Sequence, residues 1–296
     1  MTETSEPLST AEYVAVNLEP TLLTPPGAIF AQTLRDNLPG ILAWGAGYSA
    51  LIGLVTLLYP ILEENNTLLG VVRGLGLMGV GGSGSGALNI QTMTSFAGYI
   101  AFEALTWAPL ILSIYLIPQA LNAIAREEER GTLDILLSTP LPRWRLLAEK
   151  AAAIAASLVG ILLIMWVALV LSSQVVQADN FTLYHATAGI WHILPISLAI
   201  LSLTLLISVT TRTSRSAGGL AALIILTSYF LRAITDLIKD VPILHELSQL
   251  SLFAYYRSLT TLANGFQWGY DSVLLSVAAV LFLVALWQFR RRDIGV

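Results

Sequence analysis

Residues 151–178 read AAAIAASLVGILLIMWVALVLSSQVVQA, 28 consecutive positions without a charged side chain. A helix crosses a hydrocarbon core of about 30 Å with about 20 apolar residues, at 1.5 Å of rise per residue. This run is long enough to cross once and reach past the core. Helix is the expected form, because a lipid-exposed backbone must satisfy its own hydrogen bonds, and the run is too long and too continuously apolar for a barrel strand. Working outward, the same criterion selects Asn37 to Leu62, Ala104 to Ala125, Asn180 to Thr211 and Ser272 to Phe289. A sixth run, Ser216 to Leu231, has 16 residues and spans only by extending past Arg232. The sequence thus predicts an all-α integral membrane fold with spans near 39–62, 98–125, 147–175, 186–211, 216–238 and 270–290.

Composition agrees. Hydrophobic residues make up 55% and charged residues 11%, against roughly 25% charged in a soluble domain. Mean hydropathy is +0.73. The net charge of −4 argues against nucleic acid as a partner. Cysteine is absent, which excludes disulfides, thiolate metal sites and cysteine nucleophiles. The first 30 residues are mixed and acidic, with Glu3, Glu6, Glu12 and Glu19, so no cleavable signal peptide is expected. Residues 1–26 read as a tail and 27–296 as one transmembrane domain.

Arginine sets the orientation. With the N-terminus inside, eleven of the 15 basic residues fall in cytoplasmic segments and four (Arg73, Arg232, Lys239 and Arg257) outside. The positive-inside rule favours this arrangement, and an even number of spans returns the C-terminus to the cytoplasm. Outside, residues 63–97 form a long loop with the flexible run Gly79 to Gly86. Residues 239–270 are too apolar for a solvated loop, and short helices dipping into the membrane are expected there.

Inside, the one substantial loop occupies 126–146. The charged end of the second span runs through Glu127, Glu129 and Arg130 and stops at Gly131, as helices do at glycine. Leu133 to Leu137 then form a short helix with a strongly apolar side. Thr139 caps the next helix, with Pro140 at its first position. An exposed apolar ridge in a charged loop either has a protein partner or lies in the lipid interface, and the residues alone leave both open.

Glu128-Glu129-Arg130-Gly131-Thr132-Leu133-Asp134-Ile135-Leu136-Leu137-Ser138-Thr139-Pro140, placed between the second and third spans, resembles the signature of type-2 permeases of ATP-binding-cassette (ABC) exporters. The ending Phe289-Arg290-Arg291-Arg292-Asp293-Ile294 is similar to that family's ending. The resemblance covers about residues 25–296, although the glycine-rich first external loop is less typical. It implies a multi-pass permease subunit in the plasma membrane, paired with a second permease, identical or different, each docking a cytoplasmic ATPase. It makes the loop a coupling helix seated on that ATPase. Leu133, Ile135, Leu136 and Leu137 would be its anchor, beside Gly131 and Thr132, with Glu127, Glu129, Arg130 and Arg143 as a polar rim. Residues 27–38 resemble the family's amphipathic N-terminal helix along the inner leaflet.

The chain carries no phosphate loop, which needs Gly-Lys-Ser or Gly-Lys-Thr; its two lysines follow Glu149 and Ile238. It is therefore not expected to be an enzyme or to hold a cofactor, and ATP with Mg would belong to the partner ATPase. No charged ring lines the spans, so the expected cargo is amphipathic or hydrophobic: a drug, an antibiotic or a lipid. The rival readings are an intramembrane lipid-processing enzyme and an ATP-independent secondary carrier.

Other motifs are weaker. His245-Glu246-Leu247-Ser248-Gln249 opens like a zinc-protease motif but lacks the second histidine. His185 and His192 share a helix face without a carboxylate nearby on that segment, so they read as interfacial or packed histidines. Gly74 to Gly79 matches a dinucleotide fingerprint only by letter. Glu103, followed by Trp107 and Pro109, lies at the outer end of the second span; it serves translocation or gating, or faces interfacial water. Arg232 and Asp236 are one turn apart and are expected to pair.

Overall fold

The spans follow from the apolar runs, and the break in the second lies just before Pro109. In the computed structural model, which describes residues 27–64, 70, 95–126, 142–178, 181–211, 213–238 and 241–291, six stretches are long and apolar enough to cross a membrane. The first is α1 (Ala28–Glu64). The second is broken into α2 (Phe96–Ile100), a π-helical turn (Ala101–Leu105) and α3 (Ala108–Ala123). Then come α4 (Arg143–Val175), α5 (Leu183–Thr210) and α6 (Ser214–Leu237). After α7 (Pro242–Ser248), a 3-10 turn (Leu252–Ala254) and α8 (Ser258–Asn264), the chain closes with α9 (Trp268–Arg291). Every regular element among the described residues is helical. The tail 1–26, the stretches 74–79 and 79–86 and most of the loop 126–146 lie outside the described residues.

Two expectations meet the structure differently. The amphipathic segment 27–38 is not a separate helix. It forms the opening turns of α1, which continues through Pro39 for 37 residues, about 55 Å against a core of about 30 Å. Proline is tolerated there because neighbouring groups in a bundle satisfy the backbone it leaves open. The short run Ser216 to Leu231 does extend past Arg232, giving α6 24 residues.

Helix α5 is the hub. It is apolar around its whole circumference, and such a helix belongs in the interior. It touches α3, α4, α6, α8 and α9, while α1 packs mainly along α4. Ile193, Ile196, Ile200 and Leu205 of α5 are fully buried, with Leu105, Leu112 and Leu116 of the second span and Ile154, Leu158 and Ile161 of α4. The outer helices α6 and α9 expose Leu223, Phe230, Leu283 and Trp287, apolar surface suited to acyl chains.

The segment between α6 and α9 forms short helices packed on protein, with Phe253, Tyr256, Leu259 and Leu262 buried. Gly189 permits the approach of α8 to α5: a Cβ there would sit 2.3 Å from Leu262 Cδ1 and 3.1 Å from Leu105 Cδ1. Gly265 ends α8 with φ +89°, a conformation that favours glycine. We expect Gly189→Val to destabilise the protein by about 1–3 kcal/mol through overpacking. Thermal unfolding in detergent should show the loss, and adding Leu262→Ala should recover part of it.

Candidate functional site

The break in the second span starts with one missing donor. Pro109 has no amide hydrogen, so the carbonyl of Leu105, four residues earlier, cannot receive its helical bond. The chain widens to a π turn just before this point, where the Thr106 amide and hydroxyl both donate to Ala101 O at 2.8 Å. The hydroxyl of Tyr256 donates to Leu105 O at 2.6 Å, in place of the absent amide. Tyr48 of α1 donates to Ala104 O at 2.7 Å. Thr106 Oγ1 also meets Ser258 Oγ at 2.8 Å. Burial, with Tyr48 adding to it, pushes the Tyr256 hydroxyl well above the usual tyrosine range, so it stays a protonated donor. The break is therefore held by α1 on one side and the α7–α9 connection on the other.

The three residues singled out here by sequence take different places. Pro109 is buried at the start of α3. Trp107 is half exposed and packs at a tilt against Tyr229 of α6 with centroids 5.6 Å apart. Glu103 is exposed on the π turn.

Beside the break lies a buried polar pair. His192 of α5 and Asp271 of α9 meet at 2.5 Å, Nδ1 to Oδ1, both nearly without solvent exposure. The amide of Arg257 donates to His192 Nε2 at 2.8 Å. An acceptor at Nε2 fixes the proton on Nδ1, from which it is donated to the carboxylate. Tyr256 stacks on the imidazole at 5.0 Å, and the Arg257 guanidinium lies 4.2 Å over the Tyr270 ring. The carboxylate partner that the sequence did not offer His192 comes from another span. His185 is separate: it contacts Thr182 Oγ1 at 2.8 Å and completes a capping box at the start of α5. His245 and Glu246 are exposed on α7.

At the other end of the bundle a second cluster joins three spans. Glu149 of α4 accepts from the amides of Gly27 and Phe30, each at 3.2 Å, and so caps α1 from across the bundle. Arg145 Nε donates to Glu149 Oε1 at 2.7 Å. Lys150, buried, donates to the carbonyl of Ala123 at 3.1 Å. Arg126 bonds Asn122 at 2.8 Å. These contacts gather both stems of the loop between the second and third spans. Arg143 opens α4. Glu127, Glu129, Arg130, Gly131, Thr132, Leu133, Ile135, Leu136 and Leu137 lie outside the described residues, as does the side chain of Asp236, the expected partner of Arg232. Sequence reasoning passed over Glu149 and Lys150, whose signal was their place at the edge of a long charge-free run.

Residues 54–294 match the family described as ABC-2 family transporter protein. The chain belongs to the ABC-2 transporter family. No curated protein matches it. As an ABC-2 permease it is a multi-pass membrane subunit of a transporter rather than a catalytic chain. The match begins inside α1, so the capped N-terminal turns of that helix are attributed by the resemblance alone. Among the described residues no group of three or more acidic or histidine side chains is placed to hold a metal.

The tyrosine cap of this permease can be tested as a cycle. Tyr256→Phe leaves a buried carbonyl unsatisfied and should cost about 1–3 kcal/mol. In a Pro109→Ala background, where residue 109 has an amide to give Leu105, the same change should cost clearly less. Unfolding midpoints of the four proteins measure the difference.

Proposed function

We propose that this chain is the permease subunit of an ATP-driven exporter and that its arginine-rich end receives the stroke of a separate cytoplasmic ATPase. The observation that supports this best is the cluster at the loop stems. Lys150 ties the end of α3 to the start of α4, and Glu149 ties α4 to the start of α1. A push on the loop between α3 and α4 would therefore reach three spans together. In this reading Leu133, Ile135, Leu136 and Leu137 seat on the ATPase, with Glu127, Glu129, Arg130 and Arg143 around them, and ATP with Mg is held by that partner.

The N-terminus, the C-terminus and this loop face the cytoplasm of a plasma membrane, as the arginine distribution indicates. Two permease subunits, copies or relatives, enclose a path that opens alternately to each side as the ATPases close and part. The cargo is amphipathic or hydrophobic. The cavity of about 350 Å³ between α4 and α5, lined by residues such as Leu163, Trp166 and Leu194, is consistent with such a cargo. In this reading Glu103, Trp107 and Pro109 lie on the exit side, where the break in the second span lets its outer part move separately from α3.

Two experiments test the reading. Replacing Leu133 and Leu136 together by Asp should abolish co-purification of the ATPase while the permease still inserts; an ATPase retained by that variant overturns the coupling assignment. Glu149→Gln keeps the shape but removes the charge that caps α1. It should lower cargo-stimulated ATP hydrolysis by about tenfold while leaving the complex assembled, in keeping with a loss of one or two charge-assisted bonds.

A further inference from the structure

We infer that His192 is a positioning residue with a proton as its release ligand: its neutral imidazole latches the connection between α6 and α9 onto the broken second span, and protonation opens that latch. The inference rests on the geometry of the cap and is independent of the cargo and of the ATPase.

The imidazole is used on both edges. Nδ1 faces Asp271 of α9, and Nε2 accepts the amide of Arg257, the residue that leads into α8. That second bond requires a lone pair on Nε2. A proton added there places two N–H groups head to head at 2.8 Å, so the bond becomes a repulsion. The same proton turns the contact with Asp271 into an ion pair. A proton therefore strengthens the α5–α9 pairing and removes the α5 hold on Arg257. Asp271 Oδ2 is buried and accepts no hydrogen bond among the described residues, so this carboxylate has acceptor capacity left for a charged ring.

What hangs on Arg257 is the cap itself. Its neighbour Tyr256 both stacks on His192 and holds Leu105 O, and its other neighbour Ser258 meets Thr106. Releasing the Arg257 amide loosens the two contacts that hold the π turn from this side.

Histidine is the side-chain type whose charge changes near neutrality, and other ionisable groups surround this one. Asp271 comes from α9. Tyr256 and Arg257 come from the connection, with Tyr270 under the guanidinium and Tyr48 of α1 behind Tyr256. Glu103 of the π turn is exposed, and Tyr229 of α6 packs on Trp107 and Phe253. Arg232 also lies on α6, and Arg215 and Asp236 stand at its two ends. Helices α3 and α8 contain no Asp, Glu, Lys, Arg or His, and α4 contains none after Lys150.

The absence of native cysteine allows a direct test. Leu259→Cys places a thiol under α8, where the leucine is 4% exposed, and Leu250→Cys gives an 83% exposed reference on the same connection. The readout is the maleimide labelling rate at 259 divided by that at 250, on the full chain in detergent. From about pH 8 to about pH 5 the ratio should rise about tenfold. His192→Gln, whose amide oxygen can still accept from Arg257, should hold the ratio low at both pH values. His185→Gln and His245→Gln should leave the rise intact. Exchange protection of the Arg257 amide in the cysteine-free chain, corrected for intrinsic rate, should fall over the same interval. A ratio and a protection that do not change with pH, or a rise that survives His192→Gln, overturn the inference.

Discussion

A proline in a membrane helix leaves a carbonyl that neither the helix nor the lipid can satisfy, and much of this molecule's architecture answers that shortage at Leu105. With no water in the hydrocarbon region, an unpaired backbone group costs several kcal/mol. Pro109 creates the vacancy, just after the π turn at Ala101–Leu105. Two tyrosine hydroxyls donate here, Tyr256 of the connection between α6 and α9 to Leu105 O and Tyr48 of α1 to the neighbouring Ala104 O. The connection is thus more than a link between spans. Its short helices exist in a packed form because Tyr256 must reach a carbonyl inside the second span, and Gly189 of α5 lets α8 come close enough.

That arrangement concentrates polarity beside α5, the helix least suited to it by composition. The bonds of His192 and its neighbours link α5, α9, the connection and the second span within a few ångströms. A core of branched aliphatics, such as Ile190, Ile193 and Ile196, resists shape change because close packing transmits displacement. A chain of single hydrogen bonds in the same place can break one link at a time. The region where the second span can separate from its cover is the region held by such links.

Much of the fold is legible in the runs of uncharged residues, and the reasons for what is not legible are particular. The charge-free run of the last span starts at Ser272, and Asp271, the partner of His192, stands one position before it. A carboxylate at the start of a long apolar run, and a histidine within another, are each unremarkable alone; their meeting is a property of how α5 and α9 pack. Pro109 was visible, but the donors that answer it come from 61 and 147 positions away, by simple subtraction from Tyr48 and Tyr256. The resemblance sets 27–38 apart from the span that follows, whereas α1 runs on through Pro39 with its start capped by Glu149. The loop between the second and third spans was the most specific signal in the sequence, and Leu133, Ile135, Leu136 and Leu137 within it lie outside the described residues.

The two ends of the bundle differ in the strength of what joins them. At the arginine-rich end the links are charge-assisted: Glu149 to two amides and to Arg145, and Lys150 to a carbonyl. At the opposite end, apart from the carboxylate of Asp271, they join neutral groups: the Tyr256 hydroxyl to the Leu105 carbonyl, Thr106 to Ser258, and the Arg257 amide to His192 Nε2. Bonds to charged groups contribute about 1.5–3 kcal/mol each, and neutral ones about 0.5–1.5. In the proposed coupling, a force entering between α3 and α4 would meet the stiffest joints first and carry α1, α3 and α4 as one body. The strain would then fall on the weaker set around the π turn. In a permease worked from one side, as proposed, that ordering would put movement where the second span is already broken and keep the driven end intact.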